Sequence, residues 1–252
     1  MPLLVAAFAL TALLYAAVGF GGGSTYSALL ALSGVDFRLL PVISLLCNVV
    51  VVAGSTIRFA RAGVTPWRGA IVLTAVAAPA ALLGGLTPIK ESAFLGILGA
   101  SLVLTGMTLL VPQTATRAAQ NGEPEGAGRF ARWMPLLAAP IGYLAGLVGI
   151  GGGIFLAPFL HLVRWNSARA IAATAALFIL VNSLFGLAGQ LIKNGPDMIG
   201  TAFAFGLPLL LAVAVGGQFG SLLAVRFLPQ KWIRWMTAAL TIWVGARLLL
   251  GS

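Results

Sequence analysis

Charge is the scarcest commodity in this 252-residue chain. Only 8% of its residues are charged, against about a quarter in an ordinary soluble domain. Acid is scarcer still: the five carboxylates (Asp36, Glu91, Glu123, Glu125 and Asp197) all lie beside turn or loop signals, so none falls in the middle of an apolar run. That argues against carboxylate-pair hydrolysis and against an Asp or Glu proton relay inside a membrane. One cysteine, Cys47, allows no intrachain disulfide and no cysteine-based metal cluster. One histidine, no intramembrane acid and that single thiol leave a nucleophile without a base, so an enzyme is not expected. What remains is 60% hydrophobic with a mean hydropathy of +1.05. The length leaves room for about eight passes at roughly 30 residues per span and loop, with no attached soluble domain. The chain reads as an all-α, polytopic membrane protein.

Apolar runs cover about Pro2 to Val18, Ser24 to Leu32, Leu39 to Ile57, Gly69 to Leu86 and Ser92 to Val111. A polar stretch, Gln113 to Arg132, interrupts them near the midpoint. Trp133 to Val148, Ile154 to Leu162, Ala168 to Ile192, Ile199 to Val225 and Trp232 to Leu250 follow. The same rhythm of one medium, one short and three long runs occurs twice. This predicts a first membrane repeat over 1–112, a linker over 113–132 and a second repeat over 133–252. The residues agree: GFGGGSTYSALLAL from Gly19 is answered by GIGGGIFLAPFLHL from Gly149. Ser44 follows Gly21, and Thr174 follows Gly151, by the same spacing. Asn48 and Asn182 lie at multiples of four from those hydroxyls, close to their faces.

The short runs cannot span. About ten helical residues rise some 15 Å, half of a hydrocarbon core of about 30 Å. Each is either part of a broken span or the return arm of a re-entrant hairpin. Lys and Arg placement favours the hairpin. Continuous spans divide the positive residues almost evenly. Hairpins collect Arg58, Arg61, Arg68, Arg117, Arg129, Arg132, Arg164, Arg169, Arg226, Lys231 and Arg234 on one side and leave Arg38, Lys90, Lys193 and Arg247 on the other. With a hairpin and three spans per half, an odd number of crossings, the second half lies inverted and both termini face outside. Inverted repeats with broken helices meeting near the midplane are a transporter design. The N-terminal run, with no Lys or Arg ahead of it, is expected to be the first membrane element rather than a cleaved signal.

Three consecutive glycines inside a membrane helix cost stability and leave backbone groups to satisfy. Gly21, Gly22, Gly23 and Gly151, Gly152, Gly153 let backbone N–H groups approach a solute closely. The half-helices after them aim their positive dipole ends at one central region. Ser24, Thr25, Ser44, Asn48, Thr174 and Asn182 can add uncharged donors, so an anion site needs no buried cation. The competing readings are close packing for the glycines, a bond back to the i−4 carbonyl for Ser44 and Thr174, and interhelical hydrogen bonding for the asparagines. Gly84-Gly85, Gly96 with Gly99, and Gly216-Gly217 with Gly220 read as packing seams. His161 and Trp67, Trp133, Trp165 and Trp232 read as interfacial residues. Arg38 and Arg169 flank the entrances to the helices bearing Ser44 and Thr174, where they can draw anions in. The 15 scattered Lys and Arg residues, net charge +10, form no basic run, so nucleic acid is not an expected partner.

The doubled G-x-GGG turn, Pro158 after the second copy and the stretch ARAIAATAALFILVN resemble the sulfite-exporter TauE/SafE family of membrane permeases over nearly the whole chain. The first half departs from the pattern in lacking a proline matching Pro158 and in reading LLPVISLLCN in its helix. The resemblance implies transport of small sulfur-containing anions or organic acids: sulfite, thiosulfate or sulfonates. Composition and spacing alone reach a transporter for a small anion, with a channel-like anion pore as the alternative. No cofactor or metal is expected, and the partners are the lipid bilayer and the anion. The expected location is a bacterial plasma (inner) membrane. Exact substrate, direction, coupling ion and oligomeric state, a homo-oligomer included, stay open.

Overall fold

The computed structural model describes residues 1–18, 21–110, 133–163, 165–195, 197–223 and 230–251. The expected linker over 113–132 lies outside the described residues. The first half supplies α1 (Pro2–Val18), α2 (Gly23–Leu32), α3 (Leu39–Arg61), α4 (Trp67–Leu86) and α5 (Glu91–Leu110). The second supplies α6 (Met134–Val148), α7 (Gly153–Leu162), α8 (Ala168–Asn194), α9 (Asp197–Leu223) and α10 (Gln230–Gly251). Five helices, α3, α4, α5, α8 and α9, are long and apolar enough to cross a membrane. The apolar part of α10 is Thr241–Leu250.

Polarity is distributed as it must be when lipid is the solvent. Phe203, Leu207, Leu211, Val215 and Phe219 of α9 stand exposed every fourth residue, one stripe down the helix, while Ser44, Asn48, Thr174, Asn182, Ser183 and Gln190 are buried.

Glycine seams fix the helix directions. A Cβ on Gly142 would press on the Ala77 backbone, and one on Gly146 on that of Ala81, so α6 and α4 run parallel. Gly216 and Gly220 meet Ala9 and Leu13 in the same way, so α1 and α9 run parallel. Gly206 faces Ile43 and Gly217 faces Val51, which makes α3 parallel to α9; Gly186 with Ala81 and Gly189 with Gly85 make α4 parallel to α8. Since α1 and α3 both follow α9, the chain between them has to come back, and α2 is that return. The same logic through α4 makes α7 the return arm after α6. Direct contacts agree: the Phe8 and Tyr26 rings stack at 4.8 Å, and the Tyr15 and Thr25 hydroxyls are 2.8 Å apart. Had α1 continued straight into α2, Phe8 and Tyr26 would stand about 25 Å apart. Both short helices are therefore arms of re-entrant hairpins.

Leu45 of α3 lies beside Gly186 of α8, while Asn48 shares a neighbour with Ile179 and Ser183, so these two equivalent helices are antiparallel. Gly99 and Gly106 of α5 face Gly245 and Ala238 of α10, again antiparallel. Corresponding helices of the two halves thus run in opposite senses, and the repeats are inverted. Packing crosses between them: α1 lies on α9 as α6 lies on α4, and α3 and α8 cross at the centre. Of the expected seams, only Gly96 has open space at its Cβ position. The helix directions put Arg58, Arg61, Arg68 and Arg169 at one end, and Arg38, Lys90, Lys193 and Arg247 at the other.

Candidate functional site

Left-handed backbone makes the two turns. Gly22 (φ 83°) and Gly152 (φ 77°) cap the N-termini of α2 and α7, a conformation that costs an L-residue roughly 1–2 kcal/mol and glycine nothing. Gly149 (φ 80°) ends α6 by donating its N–H to the Ala145 carbonyl, and Gly151 is left-handed as well (φ 81°). Neither N-cap has a side-chain oxygen bonded to the helix it starts. The first donors into each helix are the N–H groups of Tyr26 and of Phe155 and Leu156. The N–H groups ahead of them face the turn.

The inverted fold brings both turns to one place. Cβ atoms added at Gly21 or Gly23 would collide with the Asn48 amide, and one at Gly151 would lie 2.8 Å from Asn48 Nδ2. Ile179 of α8 does the mirror-image job: added Cβ atoms at Gly151, Gly153 and Gly21 would lie 2.9 Å from it, in collision with it and 3.2 Å from it. Asn48 and Ile179 are thus counterparts, each beside the outer two of the three glycines of its own turn and one of the other. Asn182, three residues along α8, is also fully buried.

The predicted polar residues divide by what they already hold. Thr25 Oγ1 is paired with Tyr15. The Ser27 hydroxyl donates to Ser44 Oγ at 2.8 Å and lies 3.3 Å from the Val148 carbonyl, tying α2 to α3 and to the end of α6. The Thr174 hydroxyl donates back to the Ala170 carbonyl at 2.9 Å, the i−4 bond available to any helical threonine. Ser24 Oγ and both polar atoms of Asn48 and of Asn182 are buried with no partner among the described residues. Each such group costs about 1–3 kcal/mol if it stays unsatisfied.

Four participants escaped the sequence reading. Ser183 Oγ, unpartnered, would lie 3.2 Å from a Cβ on Gly151, and Tyr26, its hydroxyl also unpartnered, lies over Gly22. Tyr26 sits in the first turn of α2 and Ser183 follows Asn182, so a census of polar groups around the turns would have included both. Ile179 carries no polar signal. Gln190 donates to the carbonyls of Gly146 (3.0 Å) and Leu147 (3.3 Å), stabilising the α6 end that leads into the second turn. His161 lies in the last turn of α7, far along that helix from Gly152. Among the described residues, no group of histidine, cysteine or acidic side chains could hold a metal, and no charged side chain is buried.

An apolar exterior, inverted repeats and an uncharged polar centre define a multi-pass membrane transporter. The family model for the sulfite exporter TauE/SafE matches residues 3–248, and the chain belongs to that family. A probable membrane transporter protein of Sinorhizobium fredii, y4hK, is 33% identical over 247 residues, 98% of this chain and 97% of its own. A probable membrane transporter protein of Methanocaldococcus jannaschii, MJ0441, is 30% identical over 112 residues, 43% of this chain and 42% of its own. The Arabidopsis thaliana sulfite exporter TauE/SafE family protein 1 is 35% identical over 100 residues, 38% of this chain and 22% of its own. No solved structure matches the chain.

Proposed function

We propose that the protein is a secondary transporter of a small anion, a sulfur-containing one such as sulfite, thiosulfate or a sulfonate, working by alternating access. The observation that carries this reading is the meeting of both glycine turns on Asn48, whose amide has no other partner among the described residues. Two half-helix N-termini then face one solute from opposite hairpins, as in other carriers built on inverted repeats. The sulfur chemistry rests on the family. Binding uses backbone N–H groups of the turns with Ser24, Asn48, Asn182 and Ser183; Thr25 and Ser44 tie α2 to α1 and α3, while Thr174 is bonded within its own helix. Rocking of one repeat against the other exposes the site to each side in turn. The protein sits in a bacterial plasma (inner) membrane, with the Arg58, Arg61, Arg68 and Arg169 end in the cytoplasm, the side that positive charge favours.

The test is uptake of labelled sulfite by proteoliposomes. A carrier gives saturable uptake accelerated by unlabelled sulfite inside the vesicles. Non-saturating flux with single-channel currents would make the turns a fixed pore.

A further inference from the structure

We infer that the site selects a monoanion that still carries a hydrogen-bond donor, an acidic oxyanion such as hydrogensulfite, over the corresponding dianion. This rests on the anion-transporter reading above and concerns the ionisation state that the site accepts. Charge comes first. A helix N-terminus is equivalent to about half a positive charge, so α2 and α7 together offer roughly one. No described Lys, Arg or His side chain is buried to add to it. A second negative charge brought to this place would lose its hydration without compensation.

Hydrogen-bond polarity points the same way. Asn48 is fully buried, lies against Gly21, Gly23 and Gly151, and has both Nδ2 and Oδ1 unpartnered among the described residues. Because neither end has a partner among the described residues, exchanging the nitrogen and oxygen positions changes nothing. Nδ2 joins the backbone N–H groups in facing acceptor oxygens. Oδ1 can only accept, and a fully deprotonated oxyanion has nothing to give it. A protonated one does. Ser183 Oγ, beside Gly151 and unpartnered, can either donate or accept and so fits both forms.

The experiment uses the full-length protein in liposomes and an isosteric pair of probes. Methanesulfonate is a monoanion with no donor at every pH used. Methylphosphonate is a donor-bearing monoanion in mild acid and a dianion in mild base. Saturable uptake of each is measured from about pH 6 to about pH 9, with equal pH on both sides, either side of the phosphonate's second ionisation. The methanesulfonate arm reports any titration of the protein's own Tyr15, Tyr26, Cys47 or His161. Relative to methanesulfonate, methylphosphonate uptake at low concentration should fall roughly tenfold or more across that range, the cost of leaving one buried acceptor unsatisfied. Asn48→Leu, if it folds, should make that fall smaller, leaving only the part due to the second charge. The same fall can be read on wild type alone, as loss of ligand-dependent thermal stabilisation, which keeps the test independent of the variant. A ratio that is flat or rises with pH in the wild type overturns the inference and leaves an anion carrier standing. Absence of saturable uptake and of thermal stabilisation with methanesulfonate, methylphosphonate and sulfite alike removes the anion reading and this inference with it.

Discussion

The two glycine turns share a left-handed N-cap, Gly22 or Gly152, and differ in their company and in the residue before it, left-handed at Gly151 and not at Gly21. At the first, Asn48 presses on Gly21 and Gly23, and Tyr26 covers Gly22; at the second, Ile179 presses on Gly151 and Gly153, and Phe178 covers Gly152. The helix crossing each turn differs in chemistry: the polar amide of Asn48 at the first and the hydrocarbon of Ile179 at the second, where Asn48 and Ser183 also reach Gly151. Duplication has kept what two helix ends must both supply, an open N-terminus at a left-handed glycine, and has let the side chains diverge. In the proposed anion site the backbone would supply the charge complement twice, whereas the one side chain that meets glycines of both turns with an unpartnered amide, Asn48, sits on α3.

The sharpest way to break that asymmetry is Asn48→Leu, which makes the two linings alike. Transport should drop at least 100-fold, about 3 kcal/mol of lost binding, with the protein still extractable as a folded species. The counterpart change, Ile179→Val, should leave transport within about threefold and cost roughly 0.5–1.5 kcal/mol of stability. Equal losses from the two would erase the distinction.

Glycine substitutions come next and should hit both turns. Gly22→Ala and Gly152→Ala each force a side chain into left-handed backbone against an aromatic ring 3.0 Å from the added Cβ. Each is expected to lower stability by about 1–2 kcal/mol and uptake by about tenfold or more, read from thermal unfolding and from uptake at equal protein. Uptake unchanged in either variant would return that turn to a packing role.

A smaller contrast separates the two repeated hydroxyls. Ser44 accepts the Ser27 hydrogen bond that ties the first hairpin to α3, while Thr174 is satisfied within its own helix. Ser44→Ala should cost about 1 kcal/mol of stability and slow transport several-fold; Thr174→Val should do neither beyond about 0.5 kcal/mol. His161→Gln should do least, retaining most transport between about pH 5.5 and pH 8, because that residue stands at the far end of α7 from the turn. Loss of proton-driven accumulation in this variant, with exchange preserved, would make His161 the coupling residue.

Much of the fold was legible because hydropathy and chain reversal are written locally. The half-length runs after the glycines, the near-identical turn motifs and the uneven Lys and Arg placement together implied re-entrant hairpins and inversion, and the helix directions show both. The site was legible as two sets of glycines and hydroxyls, without its internal division. That Ser44 would be tied to Ser27 depends on a tertiary neighbour, whereas the bond from Thr174 to the Ala170 carbonyl is the local i−4 reading that the sequence already offered. Asn48 and Asn182, placed near the hydroxyl faces by their spacing, are both buried; what the spacing did not show is that Ile179 meets the glycines of the second turn as Asn48 meets those of the first. Helix periodicity places a residue on a face; which turn that face meets is set by the crossing of α3 and α8. Ile179 had no chemical signal at all, because its importance lies in mirroring a polar residue with an apolar one.

The central claim, that both turns build a single anion site, is tested most directly by the stoichiometry of sulfite binding to the purified protein, measured calorimetrically for wild type, Gly22→Ala and Gly152→Ala. The account predicts one anion per chain in the wild type and a weakening of that same binding event, about tenfold or more, in both variants. Two anions per chain, or one turn's variant binding sulfite with wild-type affinity, would contradict it.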